Sequence, residues 1–147
     1  MAFRGHYEHT LDSKDRLTVP ARFRATLAEG VVLSAGLDPC VEVYSPEGFE
    51  RHAGRLLEKV NPLGAKGRLL HRSVYSRSFD ERLDASGRVR LPRQLIEHAG
   101  FEGGCVVVGM NDHLEIWDAR RWSEYETEMN ESVGDVAEGF AEPAEPT

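Results

Sequence analysis

Cysteine is scarce in this chain. Cys40 and Cys105 are the only two in 147 residues, and they form no CxxC pair. That excludes a disulfide framework and a four-cysteine metal site, and leaves two reduced thiols as the expectation. Long apolar runs are missing too. Stretches such as Cys105-Val106-Val107-Val108 fall far short of the roughly 20 residues that cross a bilayer as a helix. The opening Met1-Ala2-Phe3-Arg4-Gly5-His6 lacks the apolar core of a secretory signal, so a cytoplasmic protein is expected, with no membrane partner. Catalytic signatures are also lacking. No Gly-x-Ser-x-Gly or Walker pattern occurs, and Gly100-Phe101-Glu102-Gly103-Gly104 has no phosphate-loop Lys. His6 and His9 fall on opposite sides of a strand and are no metal pair. Glu8 and Asp80 are equivalent exposed positions, not an acid pair. The expectation is a chain without catalysis, cofactor, metal or small-molecule substrate.

Basic residues are absent from one end. Residues 124–147 hold eight acids and no Lys or Arg. The net charge of −7 therefore misleads: 25 acids less these eight leaves 17, against 18 Lys and Arg. Within the body, Arg51, Arg55, Lys59, Lys66, Arg68, Arg72 and Arg77 face Glu58 alone over residues 51–77. Such asymmetry suits a nucleic-acid contact, an intersubunit surface or a solvated helix face. The acidic end favours the intersubunit reading, because it could complement this segment.

What the chain does contain is a repeat. Asp12-Ser13-Lys14-Asp15-Arg16 returns as Asp84-Ala85-Ser86-Gly87-Arg88, an offset of 72. The same offset matches Phe3 with Tyr75, Tyr7 with Phe79, Leu11 with Leu83, Leu17 with Val89, Val19 with Leu91, and Pro20 with Pro92. A small slip aligns Val41-Glu42-Val43-Tyr44 with Leu114-Glu115-Ile116-Trp117. Ordered apolar matches on both sides of the loop make this a duplication. The expected units are residues 1–62, residues 63–133 with a C-terminal helix, and a disordered acidic tail over 134–147.

Each copy reads as a strand, a polar hairpin loop, a return strand and a short helix. Phe3, Tyr7 and Leu11 share one strand face. Asp15 and Gly87 occupy the slot that needs a left-handed backbone, which Gly and Asp tolerate best. Pro20 suits the first turn of a helix through about Ala28. Ser45 and Asp118 suit N-caps. Trp122, Tyr125, Met129 and Val133 make the apolar stripe of the last helix, with Trp117 and Trp122 as core anchors. Short units of this size bury little surface alone. The two copies should therefore close on each other in a barrel-like core.

The repeated Asp-x-x-x-Arg loop, followed by a strand, Pro and a short helix, resembles the AbrB-type swapped-hairpin DNA-binding domain. Two copies in a chain of this length resemble the MraZ family. The resemblance implies an α+β, mainly β fold, a double-split β-barrel built from two tandem AbrB-like repeats with flanking short helices. It further implies a ring-shaped homo-oligomer, nucleoid-associated, that binds repeated promoter sites. Its expected role is a transcriptional regulator, a repressor of the bacterial division and cell-wall gene cluster. The alternative is a protein–protein assembly or antitoxin-like module of the same fold. One departure stands out: the first loop has Asp15 where the family commonly has Gly.

On this basis Arg16 and Arg88 are the leading DNA-contact candidates, since a loop Arg can present a bidentate fork to phosphate or guanine. The competing reading is a salt bridge to Asp12 or Asp84 that stiffens the loop, and both can hold at once. Asp12 and Asp84 are read as loop formers. Arg4, Lys14, Arg22 and Arg24 could add backbone-positioning contacts. The second copy has Ser76 and Gln94 where the first has Arg4 and Arg22, which favours the first copy as the DNA face.

Overall fold

A computed structural model of the chain describes residues 2–141. The elements in order are β1 (His6–Thr10), β2 (Arg16–Thr18), β3 (Val31–Ala35), β4 (Cys40–Tyr44), α1 (Pro46–Leu57) and α2 (Ala65–Ser76). Then come β5 (Ser78–Glu81), β6 (Arg88–Arg90), α3 (Arg93–Ala99), β7 (Gly104–Gly109), β8 (Leu114–Asp118) and α4 (Ala119–Gly139). The fold is α+β and mainly β.

The strands form a six-stranded antiparallel sheet, ordered β1-β7-β8-β4-β3-β5, and a separate two-stranded ribbon, β2-β6. The pairing exchanges arms between the copies. β1 of the first pairs with β7 of the second, β5 of the second pairs with β3 of the first, and β2 lies against β6. The expected barrel is not closed by hydrogen bonds, because β1 and β5 stand at the two edges of the sheet. The ribbon covers the inner face of the sheet instead. Its Leu17 and Val89 join Val31, Leu33, Val41, Val43, Val107, Leu114 and Ile116 in one buried cluster. Core sharing between the copies is thus complete, and each such side chain contributes about 1.5–3 kcal/mol on burial.

Local signals mostly act as their chemistry requires. Ser45 Oγ accepts from Gly48 N at 3.0 Å, with Pro46 at the first helical position. Asp118 Oδ2 accepts from Arg121 N at 3.3 Å, and its Oδ1 from Glu102 N at 3.0 Å. Three expectations are corrected. The segment after Pro20 is a 3₁₀ turn over Ala21–Phe23 followed by further turns, whereas Pro92 in the second copy does start the helix α3. Phe3 lies outside β1, because Gly5 takes φ +83° and leaves Phe3 in an isolated bridge to Asn111. Finally, α4 continues past residue 133 to Gly139, so the first residues of the expected disordered tail are helical. Gly134 alone costs a helix only about 1 kcal/mol, and no Pro interrupts before Pro143. Residues 142–147 of that tail lie outside the described residues.

Candidate nucleic-acid interface

The two loops have the same internal geometry. Asp12 Oδ1 accepts from Lys14 N and Arg16 N, both at 2.9 Å, while its Oδ2 accepts from Arg16 Nε at 2.7 Å. Asp84 Oδ1 accepts from Ser86 N and Arg88 N at 2.9 Å, and its Oδ2 from Arg88 Nε at 2.8 Å. Each carboxylate thus closes its turn and aligns its arginine. The backbone N–H of Arg16, foremost, holds the Asp12 carboxyl down at about 2. That of Arg88 likewise lowers Asp84. Both loops turn through a left-handed residue, Asp15 at φ 60° and Gly87 at φ 77°.

These left-handed residues also lock the copies together. Gly87 O accepts from Val19 N and Asp15 O accepts from Leu91 N, each at 2.9 Å. Gly87 is held for a second reason. A Cβ there would stand 2.2 Å from Arg24 Nε, and that Nε donates to Val19 O at 2.9 Å. Arg24 therefore braces the start of the first copy's turn and packs over Gly87 of the second, while the bonds between the copies are those of Val19 and Leu91.

The ribbon sets the surface. Its register places Arg16 opposite Arg90, Leu17 opposite Val89 and Thr18 opposite Arg88. With Leu17 and Val89 buried, the alternation turns Arg16, Thr18, Arg88 and Arg90 to the other face. The loop salt bridges use only Nε of Arg16 and Arg88, apart from Arg88 Nη1 at 4.0 Å from Asp12 Oδ2. The terminal nitrogens of the guanidinium groups have no hydrogen-bond partner among the described residues. The stiffening salt bridge and an outward fork are thus both present.

Of the six expected contact residues, Lys14, Arg16, Arg24 and Arg88 gather around the ribbon and its loops. Arg22 is drawn elsewhere: its Nη1 donates to Tyr7 Oη at 2.6 Å, and its guanidinium sits 5.8 Å from the Phe23 ring centre. Arg4 is exposed beside it, with its carbonyl accepting from Tyr7 Oη at 3.2 Å. Arg90 escaped sequence reasoning. It matches Thr18 in the repeat, and only the strand pairing reveals it opposite Arg16. No helix among the described residues is long and apolar enough to cross a membrane.

Comparison with known proteins agrees with this geometry. The chain matches the family described as "MraZ protein, putative antitoxin-like" over residues 2–70 and 76–140. It is 38% identical over 138 residues to a protein of Limosilactobacillus fermentum named transcriptional regulator MraZ, covering 94% of this chain and 96% of that one. A protein of the same name from Roseiflexus castenholzii is 39% identical over 141 residues, covering 95% and 97%. One from Symbiobacterium thermophilum is 36% identical, covering 91% and 96%. With the family matched over two segments that together span most of the chain, and relatives of 36–39% identity over more than nine-tenths of it, the chain belongs to the MraZ family.

Proposed function

We propose that this protein is a sequence-specific DNA-binding transcriptional regulator, cytoplasmic and nucleoid-associated, with no catalytic role. In this reading it represses a division and cell-wall gene cluster by binding repeated promoter sites as a ring-shaped homo-oligomer. The observation that carries the reading is the arginine face of the β2–β6 ribbon. Like charges directly opposite across a ribbon destabilise it, and Arg16 faces Arg90 in that way. An anionic partner reverses the sign of that cost. A two-stranded ribbon also has the width to enter a major groove, where Arg forks read guanine and phosphate.

Assembly draws on a second observation. On α4, Tyr125, Met129, Val133 and Val136, with Phe140 at the C-cap, leave an apolar stripe exposed, on a helix whose residues 124–138 include six acids and no Lys or Arg. The basic α1–α2 pair and its connecting loop expose Leu63, Leu69 and Tyr75. A contact between α4 of one copy and α1–α2 of the next joins unlike surfaces, and such heterologous contacts generate rings when they close. A ring presents several ribbons, and linked binding raises affinity by about 10²–10⁴. The test is a titration of the DNA upstream of the protein's own gene with one site, several sites, or sites shifted by roughly 5 bp, half a helical turn. Multi-site DNA is expected to bind far more tightly, with the half-turn shift removing most of the gain. Equal affinity per site would refute ring-based recognition, and no preference over unrelated DNA would refute the regulator itself.

A further inference from the structure

The outer face of the sheet, away from the core and the ribbon, holds a polar group that DNA binding does not use. Glu42 of β4 and Glu115 of β8 are direct cross-strand partners. They are also equivalent positions of the duplication, so they meet where the two copies join. Both are only partly exposed, and neither has a Lys or Arg ion-pair partner among the described residues. His113 completes the group. Its Nε2 points toward Glu42 Oε2 at 3.7 Å and, although buried, has no hydrogen-bond partner. Donor atoms of Glu42, His113 and Glu115 all lie within 4.8 Å of one another.

The surroundings orient each of the three. Asp112 Oδ1 holds His113 Nδ1 at 2.5 Å, which directs the lone pair to Nε2. A carboxylate on the far nitrogen is the usual support of a metal-bound imidazole. Tyr44 stacks on the His113 ring at 4.6 Å between centres. Glu115 Oε1 accepts from Trp117 Nε1 at 3.0 Å, and Glu42 Oε1 from Tyr44 Oη at 3.4 Å and Ser34 Oγ at 3.5 Å. His52 Nε2 lies 3.9 Å from Glu42 Oε1. A cavity of about 200 Å³, lined by Glu42, His52 and Glu115 among others, adjoins the two carboxylates.

Two carboxylates and one imidazole nitrogen without a hydrogen-bond partner make a donor set for a cation, and the imidazole chooses its class. Mg²⁺ and Ca²⁺ prefer oxygen alone, whereas Zn²⁺ takes nitrogen and carboxylate together. We propose that Glu42, His113 and Glu115 form a Zn²⁺ site that clamps β4 to β8 at the junction of the two copies. The ion leaves at least one coordination position for water or His52.

The test uses the full chain stripped with a chelator and titrated with ZnCl₂ by calorimetry. One ion per chain is expected. At a hundredfold excess over Kd, Tm should rise by about 5–10 °C, and excess Mg²⁺ should not displace the ion. Glu115→Gln and His113→Gln should each weaken binding by about tenfold or more. Nitrogen NMR of the unmodified chain gives a readout independent of any variant: the His113 Nε2 resonance should shift on zinc addition while His6 and His9 stay put. Binding weaker than about 1 mM, zinc affinity unchanged in folded variants, or an unmoved His113 resonance would each overturn the site.

Discussion

Replacing the ribbon arginines tests the DNA reading at its most exposed point. Arg16, Arg88 and Arg90 share one face, and Leu17 and Val89 beneath them carry the packing. Arg90→Ala removes a like-charge neighbour, so it should fold at least as well as the parent. Arg16→Ala gives up a bond to Asp12, but the turn keeps its backbone bonds from Asp12 N to Arg16 O and from Asp15 N to Asp12 O, each 3.0 Å. The consequences for DNA depend on what each arginine touches. A lost phosphate contact lowers the slope of log K against log salt by about 0.9. Between 50 and 200 mM salt, that removes about a threefold to fourfold share of the salt sensitivity per arginine. A lost base contact leaves the slope alone and costs about 1–3 kcal/mol for the cognate sequence only. Fluorescence anisotropy at four salt concentrations, with cognate and scrambled duplexes, separates these cases for single variants and the triple. The triple variant should lose a slope of about 2–3 if all three meet phosphate. A folded triple variant with unchanged affinity and slope would remove the ribbon from DNA recognition altogether.

Four further outcomes are expected. Asp15→Gly should stabilise the fold by about 0.5–1 kcal/mol in urea titration, because Gly accepts φ 60° without a Cβ clash, and should strengthen DNA binding at low salt by removing an acid from the loop. Gly87→Ala should cost about 1–3 kcal/mol, and combining it with Arg24→Ala should cost less than the sum of the single changes, since the added Cβ collides with the Arg24 side chain. Depressed carboxylates stabilise the native state above their unfolded pKa. Stability should therefore fall between pH 4 and pH 2 as Asp12 protonates from its ordinary 3.8 toward about 2, and Asp12→Asn with Asp84→Asn should flatten that limb of a Tm-versus-pH profile. Truncation after Val133 should leave Tm nearly unchanged, because residues 134–141 are exposed. It should lower the oligomer size in sedimentation velocity by removing Val136 and Phe140 from the α4 stripe.

The loops were legible in sequence because their chemistry is local. Asp-x-x-x-Arg specifies an Asx-closed turn within five residues, and a left-handed slot admits few side chains, so Asp15 and Gly87 identify each other. The caps Ser45 and Asp118 were legible for the same reason. Strand pairing was not, because an apolar run such as Val31-Val32-Leu33 pairs equally well with several partners until the whole core is assembled. Arg90 and the Glu42–Glu115 pair were hidden for that reason, being neighbours only across strands. A signal for the second did exist: an acid in the middle of an apolar strand, at the same place in both copies. The length of α4 was missed because composition argued for disorder. Its acids are compatible with helix, and its valines continue the stripe begun by Trp122.

The duplication is also incomplete in an informative way. The backbone of the loops and the ribbon and the Asp–Arg pairs keep their symmetry, although Thr18 has Arg90 as its counterpart, while the strands leading into them do not. Phe3 is buried against Phe23 at 5.1 Å between ring centres, whereas its counterpart Tyr75 ends a helix and is 48% exposed. Arg4 and Arg22 have Ser76 and Gln94 as counterparts. Drift of this kind is tolerated where each copy packs against its own surroundings. It is resisted in the ribbon, because Val19 N–H and Leu91 N–H each donate to a carbonyl of the opposite loop. A change in one loop is therefore passed to the strand end that follows the other. A perturbation that breaks the Val19–Gly87 or Leu91–Asp15 backbone bond should therefore weaken both copies together, read as one shared unfolding transition in urea titration.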